Sequence, residues 1–264
     1  MTTPHTIRLD IENDIAVITL ARPEKRNALN DSMREDLLTA LRQAAYDTSV
    51  KALIITGSGQ AFCAGGDISA MQERAGAPAG EIAFNGWSRQ QKTHQAIAFL
   101  HAFPKPVIAA VNGAATGLGA DLALSCDFIV ASDEATFAWS YVLRGLIPDG
   151  GGMYFLPRRV GLSKAKQLIF SGKTITAQEA ERIGVADLLA PAETLLAEAR
   201  NLAREFTGGS SAAIALGKSI LNKSFELDAE TIFAQGSQAQ AICYTTGEHQ
   251  QSIAAFLNKT QRGR

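Results

Sequence analysis

The chain has 264 residues, of which 46% are hydrophobic, and its 25 lysines and arginines nearly balance 26 aspartates and glutamates, giving a formal net charge of −1. This apolar share can fill a large core and excludes a disordered chain, and the balanced charge disfavours nucleic acid and anionic membranes, because both are held by a surplus of basic residues. The three cysteines have the spacing of neither a disulfide framework nor a metal site, so we expect no bound metal. We find neither a secretion signal nor a run of ~18 apolar residues, so we expect a cytoplasmic protein.

The first part of the chain alternates predicted strands and helices. Residues 7–10 and 15–20 predict two strands around a turn at Asn13-Asp14. Asp31 is the expected cap of a helix that continues to about Tyr46. The next expected elements are, in order, a buried strand (51–56), a mobile loop (75–80) and a long helix (81–102).

Prolines at 104 and 106 end that helix, and the rest of the chain becomes increasingly helical. Its expected elements are, in order, a strand (107–111), a glycine-rich turn (112–119), a helix to Leu124, a strand (128–131), and helices over 163–170, 177–183, 192–206, 211–225, 228–244 and 248–259. This pattern predicts a layered α/β core over residues 1–190 and a helical region over 191–264.

A glycine-bearing turn follows each of two buried strands. The first is Phe62-Cys63-Ala64-Gly65-Gly66-Asp67, and the second spans 112–119 and leads into a helix. Glycines let the backbone approach a ligand closely, and a helix start adds its positive dipole end. Two such turns on neighbouring strands can aim two amides at one oxygen, which predicts an oxyanion hole. Neither turn has the pattern of a nucleotide-binding loop.

Six motifs in a fixed order make the chain resemble the enoyl-CoA hydratase/isomerase family, the crotonase superfamily, almost from end to end. They are Arg22–Asn30, Phe62–Asp67, Lys105–Gly113, Gly145–Gly152, Leu156–Arg158 and Ile253–Lys259. The resemblance implies a crotonase/ClpP-like spiral of β-β-α units, in two near-perpendicular sheets, with C-terminal helices that trimerise. It also implies a homotrimer or homohexamer and an acyl-CoA thioester substrate, with coenzyme A as part of the substrate and no further cofactor.

The resemblance assigns roles to particular residues. It places the thioester oxygen between the backbone amides of Ala64 and Leu118, the latter at a position where the family commonly has glycine. The residues that match the coenzyme A site are Arg22, Lys25, Arg26, Ala28, Ala64, Gly65, Gly66, Asp67, Phe256 and Lys259.

The acidic residues distinguish the reactions of this family. Typical hydratases hold a water between two glutamates, but the matching positions here carry Asp121 and Tyr141. Asp149 lies in an Ile-Pro-Asp-Gly-Gly segment that resembles isomerases of phenylacetate degradation, in which the matching aspartate moves protons. We therefore expect double-bond isomerisation with Asp149 as the proton-transferring carboxylate and Asp121 as a second catalytic residue.

Four alternatives stay open at this stage. Asp121 and Asp149 can hold a water together and restore hydration. The resemblance also extends to 4-chlorobenzoyl-CoA dehalogenase, whose catalytic aspartate and histidine match Asp149 and His94. The position of its tryptophan is occupied here by Tyr141, and Trp139 lies two residues away. A third alternative is that Asp149 caps a helix. A fourth is that the protein is a non-catalytic scaffold that binds coenzyme A or RNA, although the balanced charge disfavours RNA.

Overall fold

The computed structural model describes residues 6–69 and 76–262, with side chains described as far as residue 258. Within these ranges the strands are β1 (Ile7–Glu12), β2 (Ile15–Leu20), β3 (Ala52–Gly57), β4 (Ala61–Cys63), β5 (Val107–Val111), β6 (Ala114–Thr116), β7 (Phe128–Ser132), β8 (Thr136–Ala138), β9 (Thr174–Thr176) and β10 (Leu188–Ala190).

The helices of the same ranges are α1 (Asp31–Tyr46), α2 (Ala79–His101), α3 (Leu118–Leu124), α4 (Gly152–Val160), α5 (Leu162–Ser171), α6 (Ala177–Arg182), α7 (Leu195–Thr207), α8 (Ser211–Leu221), α9 (Ala229–Tyr244) and α10 (Gly247–Arg262). Short 3-10 turns lie at Pro23–Lys25 and Ser140–Arg144. None of these helices has both the length and the apolar character needed to cross a membrane.

The strands form two sheets. The larger has the order β1-β2-β3-β5-β7-β10, and its strands are parallel except for the antiparallel pair β1 and β2. The smaller has the order β4-β6-β8-β9, and β9 is the antiparallel strand. The residues of β2 and β5 are all buried, as expected for strands covered on both faces. The expected α/β class is confirmed.

Helices cover the larger sheet on both faces. On one face, the small and apolar residues Leu195, Ala199 and Ala203 of α7 pack against β3, β5 and β7. On the other face, α1 and α2 join a larger core that also includes the smaller sheet. The two sheets therefore share one continuous core.

Two local expectations are wrong, and a third lies only partly within the described residues. The helix cap is Asn30 and not Asp31: the Asn30 side chain accepts a hydrogen bond from the Met33 amide at 2.9 Å, and Asp31 is the first helical residue. The glycine-rich turn over 112–119 contains β6, because pairing with β4 and β8 stabilises three residues as a strand. The loop expected over 75–80 is only partly described, since Ala75 lies outside the described residues, and α2 already begins at Ala79.

The last three helices expose large apolar side chains. Examples on α8, α9 and α10 are Leu221, Phe233 and Phe256, which are 70%, 73% and 68% exposed. Monomeric proteins rarely leave large contiguous apolar surfaces open to water, and surfaces of this kind mark interfaces.

Candidate active site

A cleft opens where β4 ends and α3 begins. Because β4 and β6 are parallel neighbours, the turns that follow them meet at one edge of the smaller sheet. Gly66 and Leu118, one from each turn, line the cleft together with Tyr141 and Leu146. One end of the cleft continues to Asp149, so the structure brings the two predicted glycine turns and the predicted catalytic aspartate together.

The two turns touch so closely that glycine is required at their contact. Gly65 has a φ of +97°, and a Cβ there would lie 2.7 Å from the carbonyl oxygen of Thr116 and 3.4 Å from the amide nitrogen of Leu118. A Cβ on Gly119 would lie 2.1 Å from the carbonyl oxygen of Cys63. The backbone of β4 therefore lies directly against the start of α3.

The amide predicted at Ala64 is already used within the protein. It donates to the carbonyl oxygen of Arg26 at 2.9 Å, and the Asp67 amide donates to Leu29 at 3.1 Å. The hydrogen bonds of the described residues include no acceptor for the amide of Gly66, which lies between them. The assignment of Ala64 as a donor to substrate is therefore wrong, and Gly66 is the amide of this turn that can face a ligand.

The second predicted amide, that of Leu118, stays a candidate donor. Leu118 is the first residue of α3, whose amide has no acceptor within the helix. The positive end of the helix dipole adds to its attraction for a negative oxygen. Leu118 and Gly66 line both parts of the cleft, so their amides are the candidate pair of donors to a ligand.

Cys63 lies next to this pair but is fully buried. Its thiol donates to the carbonyl oxygen of Asn27 at 3.1 Å. Burial raises the pKa of this thiol to about 12, so it is held as a neutral packing group.

Asp149 is half-buried at the far end of the cleft, where Arg34, Arg89 and Gln90 also line the wall. Burial raises the pKa of the Asp149 carboxyl, and the positive charges of His94, Arg89 and Arg34 oppose that rise. The alternative in which Asp149 caps a helix is wrong, because α4 begins at Gly152 with Gly151 at its cap position.

His94 approaches the backbone of Asp149 and not its carboxylate. Its Nε2 lies 3.0 Å from the Asp149 carbonyl oxygen, and the residues that line the cleft do not include it. The ring therefore fixes the loop that carries Asp149.

Asp121 lies behind the cleft wall. It is fully buried, and its carboxylate accepts hydrogen bonds from Tyr141 Oη at 2.6 Å and from Trp139 Nε1 at 3.1 Å. Burial raises the pKa of Asp121 to about 7, the hydrogen bonds from Tyr141 and Trp139 lower it, and the charge of Asp149 raises it further. The cleft-lining residues include Tyr141 but not Asp121, so Tyr141 lies between the Asp121 carboxylate and the cleft, and the catalytic role expected for Asp121 stays a prediction.

The pKa of Asp121 predicts a pH dependence of stability. Between pH 3.8 and about 7, Asp121 holds a proton in the folded chain, whereas the same residue in the unfolded chain has released it. The free energy of unfolding should therefore fall as the pH rises through this window, by roughly 4 kcal/mol in total. Urea unfolding of wild type and Asp121→Asn at several pH values measures the difference. Equal slopes for both proteins would contradict the prediction.

The residues matched to coenzyme A fall into two groups. Arg22 and Asp67 form an ion pair at 3.1 Å, and Arg22 also donates to the Ala28 carbonyl oxygen at 2.6 Å, so Arg22, Ala28 and Asp67 brace the loop beside Gly66. In contrast, Lys25 and Arg26 are exposed.

Phe256 lies on α10, far along the chain from the cleft, and the side chain of Lys259 lies outside the described residues.

Sequence reasoning missed Arg34 and Arg89 as cleft residues. For Arg34 a signal existed, because it is a charged residue on the buried side of α1, beside Met33 and Leu37.

Known proteins match this sequence along nearly the whole chain. The sequence profile of the family "Enoyl-CoA hydratase/isomerase" matches residues 10–263. The chain is 36% identical over 246 residues to 2,3-dehydroadipyl-CoA hydratase of Escherichia coli K12, covering 93% of this chain and 92% of that protein. It is 33% identical over 249 residues to 1,2-epoxyphenylacetyl-CoA isomerase of the same organism, covering 94% of each.

Solved structures give the same result. An enoyl-CoA hydratase from Bacillus anthracis superposes with a TM-score of 0.88 at 30% identity, covering 96% of each chain. An enoyl-CoA hydratase/isomerase from Cupriavidus metallidurans CH34 superposes with a TM-score of 0.89 at 32% identity, covering 98% of this chain and 96% of that one.

Proposed function

The chain belongs to the enoyl-CoA hydratase/isomerase family, and from that premise we propose that it isomerises an enoyl-CoA, moving the double bond between the β,γ and α,β positions. The observation that carries this proposal is that Asp149 is the carboxylate, among the described residues lining the cleft, that accompanies the amides of Gly66 and Leu118. One carboxylate and two amides are the groups that isomerisation needs.

The two amides supply the electrostatic part of catalysis. Polarising the thioester carbonyl makes a neighbouring C–H acidic, and the negative charge of the resulting enolate falls on the oxygen between Gly66 and Leu118. Donors fixed in advance in this way stabilise the transition state by roughly 3–4 kcal/mol each. Gly65 and Gly119 keep the two amides at one edge of the sheet, because any side chain there would force the turns apart.

Asp149 supplies the proton transfer. Its carboxylate takes a proton from one carbon, and a proton is returned to another carbon when the charge on the oxygen collapses. Partial burial raises its pKa, which makes the carboxylate a stronger base than an exposed aspartate.

Hydration is the second candidate, because relatives such as 2,3-dehydroadipyl-CoA hydratase and crotonyl-CoA hydratase carry that name. The geometry supports it less, since hydration by the route of this family holds a water between two groups. Asp121 lies behind Tyr141 and does not line the cleft, so it is not placed to hold that water with Asp149.

The dehalogenase and scaffold alternatives have less support. Trp139 is buried against Asp121, and His94 contacts the backbone of Asp149, so neither lines the cleft as a dehalogenase would require. A scaffold does not need a half-buried carboxylate beside two amides. We place the coenzyme A phosphates near the exposed Lys25 and Arg26, whereas contributions from Phe256 and Lys259 stay predictions, as does the absence of a further cofactor.

Parallel assays test the proposal. We expect calorimetry to detect binding of acetyl-CoA and crotonyl-CoA, and we expect 3-enoyl-CoA isomerisation to be faster than crotonyl-CoA hydration. Hydration without isomerisation would overturn the choice of reaction and leave the substrate class intact. Failure to bind either thioester would overturn the proposal as a whole.

The exposed apolar side chains of α8, α9 and α10 support assembly into a homotrimer or homohexamer, which we also propose. A cytoplasmic location stays a prediction.

A further inference from the structure

Tyr141 lies at the centre of the cleft. It lines the part that contains Gly65 and Thr116 as well as the part that contains Asp149. Its ring carbons Cε2 and Cζ would lie 3.7 Å from a Cβ on Gly117, the residue that immediately precedes Leu118. The phenol end of Tyr141 is therefore next to one of the two amides that hold the thioester oxygen in the proposed function.

The hydroxyl of Tyr141 connects the cleft to a buried carboxylate. It donates to Asp121 Oδ2 at 2.6 Å, and Trp139 Nε1 holds the other oxygen of that carboxylate at 3.1 Å. Glycines close the remaining sides, since a Cβ on Gly150 or Gly152 would come within 2.8 Å or 2.4 Å of the carboxylate oxygens. Such close walls restrict the Asp121 side chain to one position, with Tyr141 between it and the cleft.

We propose that Asp121 and Tyr141 form a proton relay, so that the cleft contains a second proton-transfer group besides Asp149. This inference rests on the proposed function. In the relay, Asp149 first removes a proton from the substrate and becomes a carboxylic acid. For this step Asp121 must be protonated and the hydrogen bond between the two side chains reversed, so that Asp121 Oδ2 donates to Tyr141 Oη and the phenol O–H points into the cleft. Tyr141 then gives that proton to the other carbon of the dienolate as the proton on Asp121 moves to Tyr141 Oη. The new C–H bond forms as the thioester carbonyl is restored, Asp121 is left as a carboxylate, and exchange with water resets both acids.

The charges around the pair suit this transfer. Burial raises the pKa of Asp121 to about 7, so a large fraction holds a proton near neutral pH. Burial, the charge of Asp121, the hydrogen bond to Asp121 and the charge of Asp149 raise the pKa of Tyr141, so a free phenolate is unfavourable and the two protons must move together. In the relay Asp121 is a positioning and proton-supplying residue, and Tyr141 is the catalytic residue that meets the substrate.

The source of the transferred proton separates the relay from a single-carboxylate route. Asp149 acting alone carries the substrate's own proton from one carbon to the other. The relay instead delivers a proton that has exchanged with water. Isomerisation of a 3-enoyl-CoA in D2O should therefore place solvent deuterium in nearly every product molecule of the wild type.

The test compares Tyr141→Phe with the matched control Tyr154→Phe, which removes a hydroxyl bonded to Glu226 outside the cleft. We expect Tyr141→Phe to lower turnover by about 10²-fold or more and its residual product to keep the substrate's own proton. Asp121→Asn should lose turnover and change labelling in the same way, and Tyr154→Phe should match wild type in both. Thermal unfolding confirms that each variant is folded.

Two outcomes would overturn the relay while leaving the proposed function in place. One is a Tyr141→Phe enzyme with turnover and deuterium content like those of wild type. The other is a wild type that transfers the substrate's own proton. A wild type that binds acyl-CoA but isomerises nothing would instead overturn the proposed function, and the relay with it.

Discussion

Replacing Asp149 with asparagine is expected to lower isomerisation by about 10²–10⁴-fold, because the variant loses the carboxylate that accepts the substrate's proton. The side chain keeps nearly the same size, and the His94 contact to the backbone of residue 149 does not involve the carboxylate. The affinity for a saturated acyl-CoA should therefore change little, since the two amides and the coenzyme A loop are intact. Initial rates and calorimetry on the same preparations separate these effects.

Asp10→Asn is the matched control, because Asp10 is an exposed residue of β1 and has no place in the cleft. It should turn over at the wild-type rate. An Asp149→Asn enzyme with full activity would show that another group accepts the proton. A loss of acyl-CoA affinity together with activity would point instead to a structural role for Asp149.

Replacing Gly65 with alanine is expected to lower turnover by about 10²–10³-fold, the effect of losing one donor of an oxyanion hole. The new methyl group would lie 2.7 Å from the Thr116 carbonyl oxygen, so the turn must shift, and Gly66 and Leu118 would move apart. It would also lie 3.4 Å from the Leu118 amide nitrogen, where it obstructs a bound oxygen.

Gly161→Ala separates this effect from backbone strain. Gly161 also has a positive φ, +77°, but a Cβ there meets nothing within 4 Å, and the residue lies between α4 and α5. Both variants should lose about 1–3 kcal/mol of stability from the left-handed backbone, while turnover should fall only for Gly65→Ala. Chemical denaturation and rate measurements on both variants check this. Equal turnover in the two variants would contradict the role assigned to the paired turns.

Much of the fold could be predicted because long apolar runs have one stable environment. The strands near 15–20 and 107–111 lie where the sequence indicates, since residues apolar along their whole length must be covered on both faces. The three-residue strands β4, β6, β8, β9 and β10 were not predicted. They are too short to show periodicity, and they are strands only because distant segments pair with them.

The site was predictable as a region and not atom by atom. Motif order indicates that the turns near 65 and 117 and the segment of Asp149 meet. Which amide faces the cleft depends instead on the φ of Gly65 and on the hydrogen bond from Ala64 to Arg26. The burial of Asp121 likewise depends on two aromatic residues, 18 and 20 positions further along the chain, that fold over it.

The burial of Cys63 has a consequence for the lifetime of such an enzyme. A thiolate beside a bound thioester would attack its carbonyl carbon and take the acyl group by transthioesterification, leaving the protein acylated and coenzyme A released. Cys63 is one residue from the cleft wall, yet its sulfur is turned to the Asn27 carbonyl and its pKa is raised to about 12. At neutral pH almost no thiolate forms, so the acyl group is not transferred from coenzyme A to Cys63.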